Sequence, residues 1–75
     1  MVIESLQKLT RARLLAASGE ARELRVRGRL SLGEVAEACG VDQSTVWRWE
    51  TGMRVPRGEA ALAYDDVLLS LAKED

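Results

Sequence analysis

Apolar positions along the chain recur at intervals of three and four, and nowhere do they alternate with polar ones over the length of a strand. Ile3, Leu6, Leu9 or Thr10, and Leu14 follow the helical repeat, which predicts a helix from Ile3 to Ala17. Gly19 then interrupts, at a cost of about 1 kcal/mol relative to alanine inside a helix. A second segment runs from Ser18 to Arg27, and the pattern permits either one kinked helix or two. The next start is sharper. Leu30-Ser31-Leu32-Gly33-Glu34-Val35 has the form of a capping box: Ser31 accepts from the Glu34 amide and the Glu34 carboxylate reaches back to the Ser31 amide. Leu30 and Val35 stand where a hydrophobic staple belongs. The helix so started runs from Leu32 to Cys39, where Gly40 stops it. Val41, Asp42 and Val46 repeat the arrangement with Asp42 as the cap, which predicts a second short helix over 43–51 closed by Gly52. After the loop MRVPRG, which holds the lone proline Pro56, a final helix is expected over 59–73. Its apolar face is Ala60, Tyr64, Val67, Leu68 and Leu71. The expected class is all-α, a compact bundle of about five short helices in a single domain over 1–75.

Two short capped helices joined by a tight glycine turn make a helix-turn-helix, here over 32–52, and its spacing is demanding. The first helix needs a small residue where the second crosses it, and Ala36 supplies one. Gly40, four positions on, tolerates the left-handed backbone of the turn. Val35, Val41, Val46 and Trp49 supply the inward-facing apolar groups.

Composition narrows what such a domain does. Seventy-five residues leave no room for a deep catalytic cavity. With 47% hydrophobic and 31% charged residues the chain is globular rather than disordered. The absence of histidine removes the commonest general base and the commonest metal ligand, and no metal-ligand cluster or glycine-rich phosphate loop is present. An enzyme is therefore not expected, nor a cofactor, a metal or a small-molecule ligand. One cysteine, Cys39, cannot make an internal disulfide, which suits a reducing cytoplasm. No signal peptide or membrane span is expected.

The net charge is −1, but it is unevenly spread. Residues 1–57 carry ten Lys/Arg against seven acids, and residues 58–75 carry one lysine against five acids. A phosphate-seeking surface needs local positive potential rather than a high overall pI, so this asymmetry permits DNA binding.

The string LSLGEVAEACGVDQSTVWRWETGMRVP, preceded by ELRVRGR, resembles the phage-repressor helix-turn-helix family of the Cro-like, xenobiotic-response-element type. The resemblance covers roughly Ser18 to Leu71 and leaves residues 1–17 as an N-terminal helical addition. It implies a lambda-repressor-like DNA-binding fold. It also implies an ion pair between Arg25 and Glu50, the glutamate of the motif Trp49-Glu50-Thr51-Gly52. One departure stands out: Leu32 occupies a place where the family often has a phosphate-binding glutamine, leaving only the backbone amides of that helix N-terminus for the contact.

In such an architecture the second short helix lies in the major groove. Gln43, Ser44 and Arg48 are the polar groups on its outer side, with Thr45 and Trp47 beside them. Gln43 suits adenine and Arg48 suits guanine through bidentate hydrogen bonds, although Arg48 suits a phosphate equally. Trp49 belongs to the core, one turn past Val46. Trp47 points elsewhere, either to the wall of the groove or over the side of the core. Arg27, Arg29, Thr51, Arg54 and Arg57 are the candidate backbone contacts. A single recognition helix offers a small contact area, so a homodimer on a two-fold operator is expected, through either the N-terminal segment or the C-terminal helix with Leu62 and Leu69.

The leading expectation is a sequence-specific regulator of double-stranded DNA, a small repressor of phage or mobile-element type. A small excision or DNA-architectural factor is a second possibility. An antitoxin or adaptor acting through its acidic, leucine-rich C-terminal helix is the rival from another class.

Overall fold

The computed structural model describes residues 2–73, and all its regular elements are helices. They are α1 (Val2–Ser18), α2 (Glu20–Arg27), α3 (Leu32–Cys39), α4 (Gln43–Glu50) and α5 (Gly58–Lys73). The N-terminal stretch is two helices rather than one. Gly19 adopts φ 90°, a left-handed conformation that ends α1 and turns the chain into α2.

The helix-turn-helix is delimited by its caps. Ser31 accepts from the Glu34 amide at 3.0 Å, and the Glu34 carboxylate accepts from the Ser31 amide at 2.8 Å, closing both halves of the box. At the other end Gly40 takes φ 72°, and its amide and that of Val41 donate to Glu37 and Ala36 carbonyls. Asp42 departs from expectation. It has the extended backbone of an N-cap, but its carboxylate makes no hydrogen bond to the amides of α4. Its charge still lies favourably beside the positive end of that helix. The α4 helix ends at Glu50, with Thr51 as its C-cap.

Ala36 lets α3 and α4 approach, Val35, Val46 and Trp49 are buried with it, and α3 packs on α5. The α5 helix lies along α1 and also meets α2 and α3. Trp49 packs on Tyr64 with ring centroids 4.6 Å apart at a tilt of 39°. Of the predicted α5 face, Tyr64 and Leu68 are deeply buried, Val67 and Leu71 pack at the margin, and Ala61 replaces Ala60 at the centre.

The stripe that marks α1 in the sequence is not the one it buries. Ala12 and Ala16 face the core, whereas Ile3, Leu6 and Leu14 are 63%, 55% and 64% exposed. Polar groups add to this apolar contact between α1 and α5. Arg11 donates through both its Nε and Nη2 to the two oxygens of Asp65, each at 2.8 Å. Asp65 has no exposed surface. Lys8 adds a solvent-exposed pair with Asp66 at 3.2 Å.

Tyr64 has a buried hydroxyl with no hydrogen-bond partner, and burial chiefly, with the nearby Glu50 charge, pushes its ionisation upward. An unmade bond of this kind carries a desolvation penalty without a return. Tyr64→Phe should therefore leave stability unchanged or raise it by about 1 kcal/mol in a denaturant titration. A loss would show that the hydroxyl is satisfied in solution.

Candidate nucleic-acid interface

Val46 and Trp49 anchor α4 in the core, which fixes what it turns outward. Gln43, Ser44 and Trp47 are exposed and, with Leu32 and Asp42, line one shallow depression at the N-terminal end of the helix-turn-helix. Thr45 and Arg48 are half-buried. Trp47, at 46% exposure, belongs to this surface rather than to the core. The Gln43 amide oxygen extends over Gly33, where an added Cβ would come within 3.3 Å of it. The start of α3 thus forms a platform under the Gln43 side chain, with Leu32 beside it.

The core beneath this surface is held by charge. Arg25 Nε is 2.6 Å from one oxygen of Glu50 and Arg25 Nη2 is 3.0 Å from the other, a bidentate pair. Arg25 Nη1 also donates to the Leu30 carbonyl at 2.9 Å. Both side chains are largely shielded, at 13% and 3% exposure, and the hydrogen bonds to Glu50 raise the arginine pKa above its ordinary value. The pair therefore ties α2, the approach to α3 and the end of α4 together.

The candidate backbone contacts fall into two groups. Arg27 and Arg29 are exposed at the end of α2, on either side of Gly28. Gly28 keeps an ordinary right-handed backbone, while Arg29 takes φ 59°, the one non-glycine residue with positive φ among those described. Gly28 lies close to α5, where an added Cβ would stand 2.8 Å from the flexible end of the Leu71 side chain, which would have to move aside. Arg29 accordingly closes the helix in the left-handed position usually left to glycine. That conformation costs roughly 1 kcal/mol for a residue with a Cβ. Arg29→Gly should relieve it, raising thermal stability by about that amount while removing a positive charge from the surface. A lower melting temperature would show that the arginine side chain contributes more than its backbone costs.

Thr51, Arg54 and Arg57 make the second group, after α4. The Thr51 hydroxyl donates to the Trp47 carbonyl at 2.9 Å, so its proton is committed within its own helix. Arg54 and Arg57 are exposed on a loop tied down by the buried Pro56. Sequence inspection passed over Arg13, which reaches from α1 to this loop and donates through Nε to the Pro56 carbonyl at 2.8 Å. It also passed over Asp65, whose partner Arg11 lies 54 positions away.

Other chemistry is poorly served. Cys39 is buried and its thiol is pushed up to about 11 by desolvation, well away from a nucleophile's range. Among the described residues no group of three or more His, Cys, Asp or Glu could hold a metal ion, and no helix is long and apolar enough to cross a membrane.

A family model described as a helix-turn-helix domain matches residues 16–70, which takes in α2, α3, α4 and most of α5 and leaves most of α1 outside. Comparison with curated proteins and with solved structures returns no match.

Proposed function

The chain belongs to the helix-turn-helix domain family, and we propose that it is a sequence-specific DNA-binding regulator, a small cytoplasmic repressor of phage or mobile-element type. It acts by binding rather than catalysis. One observation carries this reading: the exposed side of α4 presents Gln43, Ser44 and Trp47 together while the opposite side is locked in the core. Helix α4 enters the major groove, Gln43 and Arg48 bond base edges, and Ser44, Thr45 and Trp47 fit the groove around them. Arg27, Arg29, Arg54 and Arg57 hold the sugar-phosphate backbone on either side. The strained backbone of Arg29 supports its part, because a conformation retained at a cost suggests a charge needed at that place. The repressor role rests on the resemblance of Leu30 to Pro56 to phage repressors.

This reading includes a homodimer on a two-fold operator. Leu62 and Leu69 on α5 are half-buried, whereas Ile3, Leu6 and Leu14 on α1 are the large apolar groups left open. A two-fold contact needs a self-complementary patch. If α1 crosses its copy antiparallel with the axis between Lys8 and Leu9, Ile3 faces Leu14 and Gln7 faces Thr10. The apolar ends then meet, Gln7 and Thr10 meet in the middle, and Leu6 lies opposite the stem of Arg11, whose charged head is held by Asp65. Leu14→Glu should convert the protein to a folded monomer in sedimentation experiments and remove the concentration dependence of its melting temperature, since Leu14 is 64% exposed in the single chain. A persistent dimer would move the interface elsewhere.

Backbone NMR shifts followed during titration with duplex DNA test the proposed surface. They should move most in 43–48 and at the arginines flanking that helix. Changes confined to α5, with its acidic exposed side, would favour the adaptor reading instead.

A further inference from the structure

The loop after α4 and the added helix α1 together enclose an open groove of about 580 Å³, lined by Arg13, Met53, Arg54, Val55 and Arg57. Three of its five lining residues are arginines and none is acidic. Among the described residues the salt bridges are Lys8 with Asp66, Arg11 with Asp65 and Arg25 with Glu50, so none of the groove arginines is neutralised by one. Like charges gathered this way repel, and an anion between them would relieve that repulsion.

The groove is also held in shape. Pro56 is fully buried between Arg54 and Arg57, which fixes the loop carrying both. Arg13 is held from two directions. Its Nε donates to the Pro56 carbonyl at 2.8 Å, and its helix is docked two residues earlier by the Arg11–Asp65 fork. With Nε engaged, the terminal nitrogens of Arg13 remain for an outside acceptor, and a planar guanidinium suits phosphate oxygens well.

We propose that Arg13, Arg54 and Arg57 form a preorganised phosphate clamp that binds a backbone phosphodiester of the duplex beside the major groove occupied by α4. The proposal rests on the DNA-binding reading above and adds to it the contribution of α1. Arg13 lies outside the segment matched by the helix-turn-helix family, so the extra helix would serve as part of the DNA-binding surface. Exposed Met53 and Val55 supply apolar surface between the arginines, suited to the sugars on either side of the phosphate.

The test is the salt dependence of binding to a selected duplex and to a scrambled one, for the wild-type chain, Arg13→Gln and Arg13→Lys, with melting curves for each. One lost phosphate contact removes about 0.9 from the slope of log affinity against log salt. The deficit of Arg13→Gln should therefore shrink roughly threefold to fourfold between 50 and 200 mM salt, equally on both duplexes. Arg13→Lys should keep the slope, because the charge remains. If both variants melt earlier and neither changes the slope, Arg13 only braces the loop and the clamp is refuted. Saturable binding of inorganic phosphate abolished by Arg13→Gln, with an unchanged DNA slope, would assign the groove to a free anion and equally overturn the proposal. Arg48→Ala, measured in parallel, separates the two ideas. Loss of base preference there alongside an unchanged Arg13→Gln slope would leave the α4 reading intact and the clamp rejected. A wild-type chain that binds no duplex would overturn both.

Discussion

Arg25→Met should destabilise the domain by about 3–5 kcal/mol, the usual effect of stranding one charge of a buried pair. Glu50 is 3% exposed and both its oxygens accept from Arg25, so its carboxylate would lose both of these hydrogen bonds with little access to water. The Leu30 carbonyl would lose its arginine donor as well. For a chain of this size each kcal/mol moves the melting temperature by about 4–8 °C, so the shift should be well over 10 °C. The double variant Arg25→Met/Glu50→Met should recover much of that loss, because no charge is left buried. Thermal melts of the two single variants and the double one decide the matter. Additive losses would mean that the two groups do not act as a pair.

The second large effect is on recognition. Arg48→Ala should cost about 1–3 kcal/mol of discrimination at one or two base pairs, roughly 5-fold to 150-fold, with a smaller loss on random duplex. Arg54→Ala should instead weaken every duplex alike and flatten the salt dependence by about one phosphate. The contrast follows from position. Arg48 is half-buried on α4, one turn beyond Ser44, whereas Arg54 is exposed on the loop beyond the helix. Competition binding against single-base operator variants separates the two outcomes. If both substitutions lower general affinity without changing preference, the recognition face lies elsewhere.

Much of the architecture could be read from the sequence because short-range rules determine it. The Ser31–Glu34 box, the left-handed Gly40 and the small Ala36 are decided within a few residues, and their spacing places α3 and α4. Asp42 illustrates the limit: residue type gave its position at the cap but not the direction of its carboxylate. Periodicity found α1 yet did not indicate its buried face. Its apolar stripe is exposed, and its inward side relies on two alanines and an arginine that meets Asp65 far along the chain. No local pattern could place a carboxylate at the centre of the apolar side of α5. The Arg25 and Glu50 pairing came from family resemblance, since a separation of 25 positions carries no local signal of it. Arg29 was visible as a charge, but its strained backbone was not, because Gly28 beside it is the obvious candidate for a left-handed turn.

Selection of bound duplexes from a random DNA pool, followed by a salt titration on the winner, tests the central claim most directly. Reading of the major groove by α4 predicts enrichment of a two-fold sequence with half-sites about one helical turn apart. No enriched sequence, with only weak and salt-sensitive association, would contradict it.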